Sequence, residues 1–119
     1  MTVEEWAVVG ALCPVHQFVR IGAHSYVGGG TTITQDVLPY SMTSAARDTH
    51  AYGMNKVGLE RRSFSKERIA KIHHAYKVLL ASKMNTSQAL EKLKAEADRG
   101  EDVEMLIRFI ESSERGVIK

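Results

Sequence analysis

The sequence predicts a solenoid of six-residue repeats followed by a bundle of α-helices. Two observations lead to this prediction. An aliphatic residue recurs at every sixth position through the first third of the chain, and apolar residues recur three or four positions apart through its last half. At 119 residues, with 44% hydrophobic and 25% charged side chains, the chain has the size and composition of one ordinary globular domain.

The six-residue period holds without exception over six units. Its first slot contains Val3, Val9, Val15, Ile21, Val27 and Ile33. Neither the period of a strand nor that of a helix explains this spacing, whereas a hexapeptide solenoid does: its aliphatic residues point into a triangular prism, and three hexapeptides make one turn. We therefore expect Val9, Val15, Ile21 and Val27 in the core, Gly10, Gly22 and Gly28 as corner residues, and Cys13 as a small buried thiol.

The repeat register begins almost at Met1, without residues that would cap the open edge of a coil. Each unit of a solenoid buries its face only against the next, so two turns alone are expected to be unstable. The sequence therefore predicts that the chain begins in the middle of a stack. Either further coils lie upstream or another chain covers this edge.

The repeat stops before Pro39, which cannot donate to a ladder of backbone hydrogen bonds. Residues 1–40 are predicted to form the coils, truncated at their N-terminus. Residues 41–57 are polar and without periodicity, and are predicted to be a crossover segment. Residues 58–119 are predicted to form a helical domain.

Three helices are expected in that domain, joined by short links that favour an antiparallel bundle. The first helix is capped by Ser65 and begins near Lys66. The second is capped by Asn85 or Thr86 and stops at Gly100, and the third begins at about Asp102 and stops by Gly116. The apolar faces consist of Ile69, Ile72, Tyr76, Leu79 and Leu80; of Ala89, Leu90, Leu93 and Ala97; and of Val103, Leu106, Ile107 and Ile110. These stripes are expected to be core.

The composition indicates which cellular compartment and which kinds of partner to expect. The single cysteine excludes an intrachain disulfide framework, and the chain lacks a signal peptide or a run of apolar residues long enough to span a membrane, which predicts a cytosolic protein. The net charge of +2 does not argue for nucleic acid. That charge is uneven, because residues 54–84 carry eight basic and two acidic side chains, a net +6. This basic block is either a solvated face or lies near something anionic.

A series of short motifs runs along nearly the whole chain, in order. They are Val15-His16-Gln17-Phe18, Ile21-Gly22-Ala23-His24, Val27-Gly28-Gly29, Gln35-Asp36-Val37 with Pro39-Tyr40, Gly53 with Asn55, Gly58-Leu59, Arg61-Arg62, Phe64-Ser65, and Ser113 with Arg115-Gly116. In these motifs the chain resembles the C-terminal part of the acyl-carrier-protein–UDP-N-acetylglucosamine O-acyltransferases. The block from Asn55 to Phe64 separates this family from other enzymes with hexapeptide repeats.

The resemblance implies a left-handed parallel β-helix, here its last two coils, followed by a C-terminal α-helical bundle domain. It implies a homotrimer in the cytoplasm of a Gram-negative-type bacterium. The family transfers a 3-hydroxyacyl group from acyl carrier protein to the 3-hydroxyl of UDP-N-acetylglucosamine, the first step of lipid A biosynthesis, without a metal or cofactor. The family's base is a histidine in an earlier coil, before Met1 here, so no catalytic residue is assigned and this chain alone is expected to be inactive.

The resemblance also implies binding residues for the nucleotide sugar. His16 and Gln17 match residues that line the pocket between subunits, and Asn55 matches a contact to the uracil or ribose. Arg61 and Arg62 match arginines near the diphosphate, to which guanidinium groups pair well. His24 also matches the family, but a structural role in the coil is at least as plausible on the sequence. Val57 departs from the acidic residue that relatives often carry.

Two further expectations concern the acyl donor. Lys56, Lys66, Arg68 and Lys71 could meet the acidic surface of acyl carrier protein, or could simply be a solvated face. Gly29 matches a position where a bulkier residue shortens the acyl groove, so a preference for long 3-hydroxyacyl chains is expected.

Two classes of function remain open on the sequence alone. The first is an acyltransferase with its base upstream. The second is a non-catalytic module that trimerises or binds nucleotide or carrier protein. A zinc site of the carbonic anhydrase type is not expected, because His16 and His24 lack a third histidine at suitable spacing.

Overall fold

The computed structural model describes residues 2–45, 49–81, 84–114 and 116–118. The first part contains four two-residue strands: β1 (Thr2–Val3), β2 (Val8–Val9), β3 (Arg20–Ile21) and β4 (Tyr26–Val27). They pair in parallel, β1 with β3 and β2 with β4, and an isolated parallel bridge joins Val15 to Ile33. Partners in these three pairings lie 18 residues apart, which is the length of three hexapeptides.

The corners of this region repeat with the same period. Trp6, Leu12, Phe18 and His24 have φ angles of 60°, 57°, 65° and 58°, and Gly30 follows with 77°. The left-handed backbone therefore falls two residues after Gly10, Gly22 and Gly28. Our expectation that those glycines form the corners was wrong, because four non-glycine residues occupy that strained region themselves.

Gly10, Gly22 and Gly28 each follow the aliphatic residue of a repeat unit, and two of them have a different role, which is to let the next coil approach. A Cβ atom on Gly10 would lie 2.6 Å from the backbone nitrogen of Gly29, and one on Gly22 would lie 2.4 Å from the backbone nitrogen of Pro39. A Cβ atom on Gly28 would meet its nearest neighbour at an ordinary 3.6 Å. Steric contact between coils thus requires the first two glycines but not the third.

The core of the coils is apolar. Its buried residues are Val19, Ile21, Val27, Ile33, Val37 and Ile118, with Ala7, Cys13 and Val15 packed against them and partly exposed. Val9, which we expected in the core, is 37% exposed, and Val3 is 46% exposed. Both lie in the first coil, which packs against the second coil on one side only.

The predicted crossover segment contains two strands that the sequence did not predict, and its residues 46–48 lie outside the described residues. β5 (Ser41–Ala45) pairs in parallel with β4, and β6 (Thr49–Met54) pairs with β5 in the antiparallel sense, giving the order β2-β4-β5-β6. The sequence of β5 lacks the alternation of apolar and polar residues that is typical of a strand, because two of the residues that β5 buries are polar. Ser41 donates its hydroxyl to the carbonyl of Leu38 at 2.7 Å, and Thr43 is buried beside it in the strand.

Four helices follow: α1 (Lys56–Arg61), α2 (Lys66–Tyr76), α3 (Thr86–Ala95) and α4 (Gly100–Glu111), and a π-helical turn (Lys77–Ala81) continues α2. Ser65 caps α2 as expected. Asn85 caps α3 in a reciprocal pair with Gln88.

The helix boundaries differ from the sequence prediction in three places. α1 was not predicted, because its six residues are too few to show a helical period. α3 ends at Ala95, so Ala97 lies outside it and is exposed. Gly100, expected as a stop, instead begins α4 with a φ of 81°, and α4 ends at Glu111 rather than near Gly116.

The helices share one core with the end of the coils. It is formed by Leu38, Tyr40, Leu59, Ile72, Ala75, Tyr76, Val78, Leu79, Ala89, Leu93, Val103, Leu106, Ile107, Phe109 and Ile110. Tyr76 links the two regions directly, because its buried hydroxyl donates to the carbonyl of Pro39. Among the described residues, no helix combines the length and apolar character needed to cross a membrane.

The end of α4 and the chain terminus are fastened to the coils. The Arg20 guanidinium lies 4.1 Å from the Phe109 ring centroid and donates to the Phe109 carbonyl at 2.8 Å. Asp36 accepts from the Ser113 hydroxyl at 2.6 Å, and its backbone bridges to Val117. Ile118 then enters the core of the coils, where it is 4% exposed. The terminus therefore closes one end of that core.

Candidate functional site

One corner of the coils presents a side chain from each of three successive turns, which we call the corner column: Trp6, His24 and Tyr40. The backbone N–H of His24 donates to Glu5 at 3.0 Å, and that of Tyr40 donates to Ala23 at 2.8 Å, so successive turns lie over one another at this corner. The His24 and Tyr40 rings are 5.8 Å apart and nearly parallel, at 8°.

The short helix α1 begins on this column. The Asn55 side chain donates to the carbonyl of His24 at 3.1 Å and accepts from the N–H of Gly58 at 3.3 Å, so it caps the helix and ties it to the coil. Asn55 is only 6% exposed. Gly58 makes room for this arrangement, because a Cβ atom there would lie 2.4 Å from Asn55 Nδ2 and 2.9 Å from Arg62 Nη1.

The structure separates the two adjacent arginines. Arg61 ends α1 with its side chain exposed. Arg62 turns back toward the corner column, where its guanidinium lies 5.4 Å from the Trp6 ring centroid. Its Nη1 atom is buried and has no hydrogen-bond partner within the described parts of the chain. Arg61 is therefore free to meet an external anion, whereas Arg62 is partly enclosed by the protein.

An ionic network closes the other side of the corner column. Asp102, near the start of α4, accepts two hydrogen bonds of 2.9 Å from the Arg68 guanidinium and a third of 2.9 Å from the buried Tyr40 hydroxyl. Burial acts to raise the pKa of Asp102, but the hydrogen bonds from Arg68 and Tyr40 outweigh it and the pKa is lowered. Burial, followed by the Asp102 charge, raises the pKa of Tyr40 far above its usual range. The phenol stays neutral and donates.

Removing this carboxylate is expected to destabilise the junction between coils and helices. Asp102→Ala leaves the Tyr40 hydroxyl buried without its acceptor, which costs about 2 kcal/mol of unfolding free energy. Urea denaturation of the two proteins measures this loss. Asp98→Ala is the matched control, because the Asp98 side chain is 97% exposed beside Lys71 and its loss is expected to cost less than about 0.5 kcal/mol. Equal losses in the two variants would contradict the prediction.

The remaining candidate residues lie at other corners. His16 and Gln17 are exposed in the hexapeptide that precedes the one containing His24, and the N–H of His16 donates to the carbonyl of Ile33 at 2.9 Å. Gly29 is exposed at a third corner, and a Cβ atom there would make only ordinary contact, 3.5 Å from the Ala11 carbonyl. A single chain thus brings Asn55 and Arg62 together but places His16, Gln17 and Gly29 elsewhere.

A basic groove lies between β6, α1 and α2. Its two adjoining cavities, of about 420 and 550 Å³, have apolar walls: Met42, Met54, Phe64, Ile69, Tyr76 and Leu80. They are bordered by Lys56, Lys66, Lys77 and His73, together with one acidic side chain, Glu60. Of the four cations expected to face an acidic partner, three are paired within the chain. Arg68 binds Asp102, Lys71 lies 3.3 Å from Asp98, and Lys56 lies 3.8 Å from Glu60. Lys56 and Lys66 border the groove.

On the sequence alone, Trp6, Tyr40 and Asp102 were not expected as neighbours of the site. The period of six did contain a signal for the first, because it places Trp6 and His24 in the same slot, 18 residues apart, and hence at one corner. Within the described residues, no three His, Cys, Asp or Glu side chains are grouped as a metal ion would require.

Comparison with known proteins identifies the family. Residues 36–118 match the profile of domain 2 of UDP-N-acetylglucosamine O-acyltransferase. The chain belongs to the UDP-N-acetylglucosamine O-acyltransferase family. It is 38% identical to the acyl-[acyl-carrier-protein]–UDP-N-acetylglucosamine O-acyltransferase of Myxococcus xanthus, over 100% of this chain and 46% of that protein. It is 40% identical to the Burkholderia mallei protein of the same name, over 97% of this chain and 45% of that protein.

Solved structures of UDP-N-acetylglucosamine acyltransferases have the same fold over this length. The Bacteroides fragilis enzyme superposes with a TM-score of 0.92 at 36% identity, covering 99% of this chain and 46% of that one. The Francisella novicida enzyme gives 0.91 at 32% identity, covering 98% and 42%. The chain therefore spans a little under half the length of the UDP-N-acetylglucosamine O-acyltransferases it matches.

Proposed function

We propose that this chain corresponds to the C-terminal portion of an enzyme that transfers a 3-hydroxyacyl group from acyl carrier protein to the 3-hydroxyl of UDP-N-acetylglucosamine, the first step of lipid A biosynthesis. The observation that carries the proposal is the match, along the whole chain, to enzymes named for this transfer. The protein then acts in the cytoplasm, where both substrates are water-soluble.

The proposed architecture is a left-handed parallel β-helix with a C-terminal helical bundle, assembled as a homotrimer. The pairing of residues 18 apart and the corners every six residues support the coiled part. Exposed aromatic residues support the assembly: Trp6 and Phe18 lie on the surface of a single chain. Neighbouring subunits would remove part of this area from water.

The nucleotide sugar is proposed to bind between subunits, to His16 and Gln17 of one coil corner and to Asn55, Arg61 and Arg62 around α1. Arg61 is the exposed guanidinium of the pair and suits the diphosphate, to which it can donate two parallel hydrogen bonds. Asn55 already caps α1, so its contact to uracil or ribose would use the donor and acceptor capacity that the cap leaves.

The acyl donor is proposed to approach from the basic groove. Lys56 and Lys66 border its apolar walls and would attract the acidic surface of acyl carrier protein. Gly29 would form part of the acyl groove. Its missing side chain leaves space for a long 3-hydroxyacyl chain, because a Cβ atom there meets nothing closer than 3.5 Å.

The chemistry is an acyl transfer in which the sugar hydroxyl attacks the thioester carbonyl. A general base takes the hydroxyl proton as the new ester bond forms, donors stabilise the oxyanion, and the carrier-protein thiol leaves with a proton. In the arrangement we propose, the base is a histidine of an earlier coil. The residues of this chain bind and orient the nucleotide sugar, and they supply positive charge at the diphosphate.

Binding of UDP-N-acetylglucosamine to the chain tests the proposal. Titration calorimetry should show binding that Arg61→Ala weakens about tenfold, because a charge-assisted hydrogen-bonded pair to phosphate is lost. Arg108→Ala is the matched control, since Arg108 is exposed on α4 away from α1, and it should bind as the unchanged chain does. Equal binding of uridine and the nucleotide sugar, or an unchanged affinity in Arg61→Ala, would overturn the assignment.

A further inference from the structure

We propose that His24 is a positioning residue, whose ring holds α1 and the two arginines at its end against the coil. The inference rests on the proposed function of those arginines in binding the nucleotide sugar. It follows from the observation that both ends of α1 rest on this one residue. At the start of the helix, Asn55 bonds to the His24 carbonyl, and just beyond the end, the Phe64 ring meets the His24 ring edge-on at 4.9 Å.

The ring is enclosed on several sides. It stacks on Tyr40, packs against Phe64 and is 91% buried, and its Nδ1 atom has no hydrogen-bond partner among the described residues. This orphaned polar atom is costly to bury, so packing alone does not account for a histidine here. Phenylalanine would fill the same place without that cost.

The charges that face the ring favour its neutral form. Arg62 and Arg68 lie on the helical side, and Glu5 and Asp102 oppose them from the coil and from α4. Burial, followed by the Arg62 charge, lowers the pKa of His24 below the ordinary value of 6.5, and the two carboxylates only partly offset this. A proton on the ring would add a positive charge beside the guanidinium of Arg62. That charge would push the loop after α1 away from the corner column.

The sign of the pH effect follows from this shift. Because the pKa is lower in the folded protein, the unfolded chain takes up the proton first as the pH falls. The contribution of His24 to the free energy of unfolding is thus complete above about pH 6.5, and it is lost as the pH falls toward the lower pKa of the folded protein. A side chain that does not titrate, such as phenylalanine, would give no such dependence.

Two substitutions separate the ring from its proton. His24→Phe keeps an aromatic ring, and the corner backbone accepts one, since Trp6 and Phe18 adopt φ angles of 60° and 65° at equivalent corners. His24→Asn removes the ring, and asparagine tolerates left-handed backbone well. Both variants keep the backbone carbonyl that binds Asn55. His74→Asn, at an exposed position of α2 outside the basic groove, is the matched control.

The first measurement is amide hydrogen exchange at Gly58, whose N–H is held by the Asn55 cap. Gln88 serves as the internal reference, because its N–H is held in the same way by the Asn85 cap of α3. In His24→Asn, protection at Gly58 is expected to fall about tenfold relative to Gln88. In His24→Phe and His74→Asn it should stay within about twofold. Between pH 7.5 and pH 4.5 the Gly58-to-Gln88 ratio should fall in the unchanged chain and stay constant in His24→Phe.

The second measurement is the affinity for UDP-N-acetylglucosamine at the same pH values. At pH 7.5, the affinity should be weaker in His24→Asn than in the unchanged chain, as the Gly58-to-Gln88 ratio is. Between pH 7.5 and pH 4.5, the affinity of the unchanged chain should fall more steeply than that of His24→Phe. An unchanged Gly58 ratio in His24→Asn, or an equal loss at both amides, would overturn the positioning role. Equal affinities in all variants despite a changed ratio would overturn it as well. If the Gly58 ratio responds but no chain binds the nucleotide sugar, the positioning of α1 stands and the proposed function fails.

Discussion

Gly22→Ala is expected to lower the free energy of unfolding by about 3 kcal/mol. The added Cβ atom would lie 2.4 Å from the nitrogen of Pro39 and 2.7 Å from both its Cα and its Cδ. These atoms belong to backbone and to a ring, so neither a rotamer change nor a flexible side chain can relieve the overlap. The coils would have to separate where Gly22 meets Pro39, and the expected cost is at the upper end of the range for overpacking. Urea denaturation with a two-state fit measures the loss.

Gly28→Ala is the matched control, because Gly28 occupies the same slot of the repeat one hexapeptide later. Its Cβ atom would make only ordinary contacts at 3.6 Å, and its backbone is not left-handed. Alanine also restricts the unfolded chain, so this variant should be neutral or up to about 1 kcal/mol more stable. Similar losses in the two variants would show that the glycines serve a common backbone requirement rather than the approach of neighbouring coils.

Ile118→Ala is expected to cost about 3 kcal/mol, although it lies one residue from the chain terminus. Its side chain is 4% exposed and packs among Ile21, Ile33 and Val37 at the end of the coil core. Shortening a buried isoleucine to alanine removes apolar contact and leaves a cavity, which typically costs 2–5 kcal/mol. The terminus is held in place on both sides, because the Asp36 N–H donates to Gly116 and the Ile118 N–H donates to Asp36, each at 2.9 Å.

Leu12→Ala provides the comparison for this second prediction. Leu12 is a side chain of the same size but is 90% exposed, so its truncation should change the free energy of unfolding by less than about 0.5 kcal/mol. Thermal and urea unfolding of both variants, followed by the fluorescence of Trp6 in the first coil, measures the two losses of free energy. A loss for Ile118→Ala as small as that for Leu12→Ala would mean that the terminus does not contribute to the coil core.

Local signals predicted the elements whose side chains carry a regular pattern. The period of six located the inward residues Ile21, Val27 and Ile33, because each turn of the solenoid repeats the same environment. Ser65 and Asn85 located the starts of two helices, because a cap satisfies the free backbone N–H groups within a few residues. The motifs around Asn55, Arg61 and Arg62 indicated the family that the comparisons then showed.

Elements without such a pattern could not be predicted. β5 buries the polar Ser41 and Thr43, so its sequence lacks the alternation of apolar and polar residues that would predict a strand. α1 is too short to show a helical period. Nor could the sequence distinguish Gly22 from Gly28, which occupy the same slot. Only the position of Pro39 in the next turn makes one of them irreplaceable.

The candidate site shows the same division. By itself, the sequence determined the repeat, the caps, the basic block and the family, since each of these depends on residues close together in the chain or on motifs in a fixed order. Tertiary structure alone decided that Arg62 turns to Trp6 while Arg61 stays exposed, that Asp102 binds Tyr40 and Arg68, and that Ile118 closes the coil core. The physical reason is that these contacts join residues from 34 to about 100 positions apart, and their partners are chosen by the packing of helices on coils rather than by any local preference.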